Sequence, residues 1–282
     1  MYDELLDRGF DRSGTIISLG GSVVGDVAGY VAATYMRGVN FVQCPTSLIA
    51  MVDTSVGGKT SIDLPQGKNM IGVYKQPSKV IADVATLQSL PQMDFASGMA
   101  EVIKHGLIAE SNLLEQVEQG YWAKNWDRSP SYIGELQRLV AQAIQVKINI
   151  VQADPFEQGR RSILNLGHTF AYAIEQVSNN AYRHGEAVSM GLIAAANLSA
   201  RLGFCDISLQ QRIEDVLESV NLPARIPSHI KPDALLQAMQ HDKKKRAGQL
   251  RFILLRGIGD AFVSDEVANT EVLATISAVS VN

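Results

Sequence analysis

Between Thr15 and about Pro91 the chain alternates short apolar runs with glycine turns and small-residue segments: TIISL, GGSVVGD, AGYVAATYM, NFVQCP and later KVIADV. Such runs predict buried strands, and their alternation with helix-length segments predicts an α/β layer around a parallel sheet. From about Gln92 the spacing changes. Apolar residues recur at three- and four-residue intervals through FASGMAEVIKHGLIAE, LLEQVEQGYWAKNW, SYIGELQRLVAQAIQVKINIVQ, RSILNLGHTFAYAIE and AVSMGLIAAANLSARLG, which predicts helices. LRFILL is a candidate for a short extended segment in this half. The change of texture predicts two domains, an α/β domain over 1–91 and an all-α domain over 92–282.

Composition narrows the classes of function. The chain has 282 residues, 46% of them hydrophobic and 19% charged, enough to bury a large core. Its net charge of −4, with no basic stripe interleaved with aromatics, predicts no nucleic-acid partner. Two cysteines, Cys44 and Cys205, argue against a disulfide scaffold. No apolar run approaches the roughly eighteen residues of a membrane span, so the sequence predicts no membrane partner and a cytoplasmic location.

Three motifs carry chemistry. GGSVVGD follows a strand and opens a helix, where glycines allow a tight turn and helix amides face an anion such as a pyrophosphate. It is not a full G-x-G-x-x-G, and a glycine turn at such a junction is often mere punctuation. VDTSVGGKTSIDLPQGKNMIG ends its glycines in Gly58-Lys59-Thr60, like a Walker A loop. That motif needs a glycine where this chain has Asp53, so a nucleoside-triphosphate loop is rejected. What remains reads as a glycine-rich loop holding Asp53, Lys59, Lys68 and Asn69, groups suited to phosphate or ribose oxygens. A solvated surface loop is the plainer alternative.

The third motif is RSILNLGHTFAYAIE followed by HGE. If the first segment is helical, Arg161, Asn165, His168 and Tyr172 fall on one stripe. His184 follows sixteen residues after His168. A lone helical histidine is more often structural, but two imidazoles with a third donor form a common Zn²⁺ set. Glu101 and Lys104, one turn apart in GMAEVIKHG, offer that third group. Lys147 and Arg161 flank the acidic turn 153–157 and suit a carboxylate or phosphate, the arginine as a fork.

These motifs, together with GMAEVIKHGLI, HGEAVSMG and DKKKRAGQLRF, resemble the 3-dehydroquinate synthase family over nearly the whole chain and in family order. The resemblance implies a Rossmann-like nucleotide-binding α/β domain, then a helical domain carrying the metal. It implies NAD as cofactor, one divalent metal (Zn²⁺ or Co²⁺) per chain, a phosphorylated sugar acid as substrate and a homodimer. Glu101, His168 and His184 match the metal ligands. Ser22, Val23, Val24, Gly25 and Asp26, then Thr46, Ser47, Asp53, Lys59 and Lys68, and the segment Thr86, Leu87, Gln88 and Ser89, match NAD contacts. Lys59, Lys104, Lys147, Arg161 and Asn165 match the catalytic set. Within the substrate contacts, Lys147 and Arg161 match the grip on a carboxylate, while Lys59, Asn69, Asn165 and one of Lys243 and Lys244 match phosphate contacts. Asp53 also matches a substrate contact, Lys104 a residue near the substrate hydroxyls, and Arg37 an arginine reaching the neighbouring subunit's site.

The chain also departs from the family pattern. Family members carry a further N-terminal segment with the first strands of the nucleotide-binding domain, so the resemblance implies that this domain is incomplete here. Tyr172 stands where the family usually has histidine, and Ser22 lies in a turn that usually starts with glycines only. Other sugar-phosphate cyclases, whose substrates lack a carboxylate, and a truncated inactive homologue are the alternative expectations.

Overall fold

The computed structural model describes residues 1–64, 67–120, 122, 129–240 and 250–281. Two compact units divide the chain: 1–91 with 127–155, and 92–126 with 156–282.

In the first unit, α1 (Tyr2–Asp7) precedes β1 (Thr15–Gly20), α2 (Ser22–Thr34), β2 (Asn40–Pro45), β3 (Lys59–Leu64), β4 (Gly67–Tyr74) and β5 (Lys79–Val80). β1, β2 and β5 form a parallel sheet in that order, with Ile16 opposite Phe41 and Leu19 opposite Cys44. Ala28, Val31 and Ala32 of α2 bury against Tyr35, Val39 and Phe41, with Leu5, Phe10 and Ile16 packed at the margin. β1 is one edge of the sheet among the described residues, and Ile17 and Leu19 on it are 64% and 70% exposed.

The expected loop at 53–69 folds differently. Asp53 lies in a π-helical turn, Ala50–Thr54, and β3 and β4 form an antiparallel hairpin pairing Thr60 with Val73 and Ile62 with Ile71. Gly57 and Gly58, at φ +101° and +66°, turn the chain into the start of β3, and the β-branched residues after them favour the extended chain.

The single cut at Pro91 also needs correction. The long helix α5 (Pro130–Ala153) packs on Ala50–Thr54 and on the 3₁₀ segment Val84–Ser89, so it belongs to the first unit.

In the second unit are α3 (Gln92–Ala109), α4 (Ser111–Gln119), α6 (His168–Val177), α7 (His184–Arg201), α8 (Ser208–Ser219), α9 (Pro232–Gln240), β6 (Phe252–Gly257), β7 (Asp260–Ser264) and α10 (Asn269–Val279). Every residue from Phe95 to Ile108 of α3 is buried, as is nearly all of α7, the signature of helices surrounded on all sides. The unit is helical but not all-α. Phe252 to Leu255 form a fully buried run that pairs antiparallel with β7 and packs on α6 and α7 through Phe170 and a Leu255 N–H to Ser199 Oγ bond of 3.0 Å. Among the described residues no helix is long and apolar enough to cross a membrane.

Candidate active site and metal centre

Three helices of the second unit converge on one point. Glu101 and Lys104 lie one turn apart in the middle of α3, both buried. His168 and His184 are the first residues of α6 and α7. Glycines let these helix starts approach. Gly167 adopts φ +78°, and a Cβ on Gly191 would fall 2.2 Å from Gly167 O, so α6 begins directly on α7. A Cβ on Gly185 would fall 1.9 Å from Ser97 O, and Gly185 N–H donates to Ser97 Oγ at 2.9 Å. That contact pins the start of α7 to α3 one turn before Glu101, which brings His184 to the carboxylate.

The expected stripe breaks at this turn. Arg160–Asn165 is a 3₁₀ segment and the left-handed Gly167 separates it from α6, so Arg161 and Asn165 do not share a helix with His168. Arg161 is buried, and Asn165 Nδ2 donates to Glu157 Oε1 at 2.7 Å and to Ser162 O at 3.2 Å.

Nε2 of His168 and Nε2 of His184 each lie 3.5 Å from Glu101 Oε1. Their Nδ1 atoms face other oxygens: Leu166 O at 3.1 Å for His168, and Glu175 Oε1 at 2.9 Å for His184. Nε2 is therefore the nitrogen each ring turns toward Glu101. Glu101 Oε1 is buried without a hydrogen-bond donor among the described residues, and Oε2 pairs with Lys104 Nζ. One ligand atom from each of Glu101, His168 and His184 lies within 4.8 Å of the others. A buried carboxylate oxygen with no donor is what a cation at this point would account for. Two imidazoles and a carboxylate suit Zn²⁺ or Co²⁺ and leave coordination positions open.

The electrostatics agree with a site that attracts positive charge. Burial alone would push the Glu101 carboxyl up, but Lys104, His168 and His184 hold it well below the usual range. Burial likewise works against a charged His184, yet the Glu101 carboxylate facing Nε2 and the Glu175 carboxylate hydrogen-bonded to Nδ1 push it up to about 9. A ligated metal takes the place of such a proton, because only the neutral imidazole ligates. Tyr172 sits one turn into α6, its ring edge-on to His168 at 5.4 Å and stacked near His184 at 6.3 Å.

Glu175 is the residue that sequence reasoning missed. It continues the His168 and Tyr172 spacing by three residues, so it stands on their face of α6, and that spacing was the one signal in the sequence.

In the first unit, Gly20 and Gly21 close β1, and α2 begins at Ser22, whose Oγ accepts from Thr54 Oγ1 at 3.0 Å. Thr46 and Ser47 follow β2 directly, and Thr46 N–H donates to Gly20 O at 2.9 Å, so both segments lie at the carboxyl ends of the parallel strands. A small cleft there is lined by Gly21, Gly25, Gln43, Pro45, Thr54 and Ser55. Val23 and Val24 are exposed beside it, whereas Leu87 is fully buried. Thr86, Gln88 and Ser89 lie on the same 3₁₀ segment as Leu87, which Asp83 caps by accepting from Ala85 N–H at 2.9 Å.

Lys147 Nζ donates to Asp53 O at 2.5 Å and to Asp53 Oδ1 at 2.6 Å. Asp26 on α2 is pushed up to about 7 by burial and by the nearby Asp63 and Asp53 carboxylates, against the pull of Lys147. Lys59 opens β3 exposed, and Arg37 is exposed at φ +62°. Lys243 and Lys244, and the side chains of Lys68 and Asn69, lie outside the described residues.

Known proteins give this arrangement a lineage. Residues 1–97 match the family model "3-dehydroquinate synthase N-terminal" and residues 98–245 match "3-dehydroquinate synthase C-terminal". The chain is 43% identical over 277 residues to a 3-dehydroquinate synthase of Synechocystis sp., covering 98% of this chain and 76% of the relative. It is 46% identical over 269 residues to that of Halorhodospira halophila, covering 95% and 75%. Among solved structures it is similar to 2-epi-5-epi-valiolone synthase from Streptomyces hygroscopicus with NAD⁺ and Zn²⁺ bound, at 26% identity and TM-score 0.88, covering 99% of this chain and 77% of the other. A 2-deoxy-scyllo-inosose synthase complexed with carbaglucose-6-phosphate, NAD⁺ and Co²⁺ is similar at 26% identity and TM-score 0.86, with 99% and 77% covered. With the two family models together matching residues 1–245 and relatives at this identity over nearly its full length, the chain belongs to the 3-dehydroquinate synthase family.

Proposed function

We propose that this chain converts 3-deoxy-arabino-heptulosonate 7-phosphate to 3-dehydroquinate and phosphate, a carbon–oxygen lyase reaction of the shikimate pathway. The observation that carries this reading is the convergence of Glu101, His168 and His184 on one buried point in a chain whose residues 1–245 match the two family models. When bound, NAD accepts and returns a hydride and a divalent cation polarises a substrate oxygen, so neither is consumed.

Glu101, His168 and His184 are the proposed holders of Zn²⁺ or Co²⁺. Lys104, beside Glu101, is the proposed contact to a substrate hydroxyl. The turn Gly20 to Asp26 and the start of α2 offer backbone amides to the NAD pyrophosphate, with Thr46, Ser47, Asp53, Lys59, Lys68 and Thr86 to Ser89 as further contacts. Lys147 and Arg161 are the proposed contacts to the substrate carboxylate. Lys59, Asn69 and Asn165, with Lys243 or Lys244, are assigned to the phosphate, where positive charge favours its departure. The first unit is assigned to nucleotide and the second to metal. Arg37, exposed on a left-handed turn, is assigned to a partner subunit's site in a homodimer.

Both cyclases similar in structure make rings other than dehydroquinate. Lys147 and Arg161 favour the acid, because a substrate without a carboxylate has no use for that pair. The test is to supply the purified chain with NAD, Zn²⁺ and the sugar acid phosphate and to follow phosphate release and the enone absorbance after dehydratase coupling. Release of one phosphate per dehydroquinate formed is expected. No turnover at any metal loading would sink the assignment.

A further inference from the structure

The two histidines at the metal centre are not equivalent. His168 Nδ1 faces a neutral backbone carbonyl, Leu166 O, whereas His184 Nδ1 faces a carboxylate, Glu175 Oε1, at 2.9 Å. Glu175 is itself buried and stands two turns along α6 from His168. One helix therefore carries the first ligand and, at its seventh following position, the group that addresses the second ligand on α7. A carboxylate accepting from Nδ1–H fixes the ring's tautomer and orientation and makes Nε2 a stronger donor.

We propose that Glu175 is a positioning residue for the metal, acting through His184 to aim Nε2 at the point shared with His168 and Glu101. It does not touch the cation. A purely structural role, tying α6 to α7, would make the same contact but would leave cation affinity unchanged once the protein is folded. The proposal rests on the metal reading above and deepens it.

The experiment uses the full chain stripped of metal. Zn²⁺ affinity is measured by competition with a chromophoric chelator, the Co²⁺ visible spectrum is recorded, and the thermal midpoint of each stripped protein is taken. Parent, His184→Ala, Glu175→Gln and Glu175→Ala are compared. His184→Ala should lose tight binding. Glu175→Ala should weaken Zn²⁺ by about 10- to 100-fold, the usual effect of removing such a partner. Glu175→Gln, which keeps a hydrogen-bond acceptor but not the charge, should lose less than Ala yet still fall measurably, with altered Co²⁺ bands and a stripped-protein midpoint close to the parent's. Should the alanine variant not fold, the glutamine variant decides alone.

Parent-like affinity and spectrum at Glu175→Gln, with His184→Ala deficient, would overturn the positioning role and leave the metal site standing. A parent that binds no cation, with His184→Ala no different, would overturn the metal reading and this proposal with it.

Discussion

Each unit gathers ionisable side chains around one carboxyl, and the two gatherings shift that carboxyl in opposite directions. In the first unit burial pushes Asp26 up, the carboxylates of Asp63 and Asp53 push it further against the pull of the Lys147 ammonium, and it reaches about 7. In the second, Glu101 is fully buried, a condition that by itself raises a carboxyl more than Asp26's partial burial does, yet it is held low because its neighbours are an ammonium and two imidazoles. Burial pushes both carboxyls up, and the local charges then decide whether that push stands, as at Asp26, or is overcome, as at Glu101. An anion with an unsatisfied oxygen suits a cation. A carboxyl poised near neutrality suits a place where anionic groups come and go.

The largest effect should follow from breaking the second gathering. Glu101→Gln leaves the Lys104 ammonium buried without this carboxylate, a change that costs about 3–5 kcal/mol when one partner of a buried pair is lost. Chemical denaturation should register that loss, and metal analysis should find no tightly held Zn²⁺. Adding Lys104→Met should recover much of the stability and none of the metal. If the single variant unfolds like the parent, the pair does not hold the site as described.

Next in size is Tyr172, whose ring stacks near His184 and meets His168 edge-on. A tyrosine stays neutral until about pH 10, whereas a histidine there could carry charge or a proton near neutrality. Tyr172→His should raise kcat by about 10²-fold, the scale of one proton-transfer group, with the gain confined to the pH range where the new imidazole titrates. A variant no faster than its parent would mean that this position contributes shape alone.

Arg161 tests substrate class within the same unit. Arg161→Ala should weaken a carboxylated substrate analogue by about 1.5–3 kcal/mol, the range for hydrogen bonds to charged groups. An analogue without the carboxylate should lose much less, and binding titrations with the pair decide it. Equal losses would remove the carboxylate role.

The sequence carries this contrast unevenly. The strand–turn–helix from Thr15 to Thr34 was legible because apolar runs and glycines mark both ends, and LRFILL proved to be β6 because four consecutive apolar residues can bury both faces of a strand. The hairpin of β3 and β4 was not, since its glycines and polar residues hide a weak alternation. Periodicity found α5 but not its partner: an amphipathic helix declares that it has an apolar face, not which layer it covers. At the site, Glu101, His168 and His184 stand out by residue type. Glu175 does not, because a glutamate on a helix ordinarily reads as a solvated face, and only its burial against a ring nitrogen distinguishes it.

The smallest effect, and the one that isolates the first gathering, is the pH dependence of stability at Asp26. A carboxyl that titrates near 7 when folded, against an ordinary 3.8, binds more protons in the folded chain across that window. Stability from this group is therefore greatest at the acid end and falls as pH rises toward 7, the reverse of a carboxylate held low by a cation. Asp26 is only partly buried, so solvent screening keeps the change modest. Asp26→Asn should flatten this decline when thermal midpoints of the metal-free, NAD-free protein are compared from about pH 4 to 7. Lys147→Ala removes the ammonium that opposes the shift and should steepen the decline. Were the Asn variant to keep the parent's slope, the three aspartates would not be sharing charge, and the contrast between the two gatherings would rest on Glu101 alone.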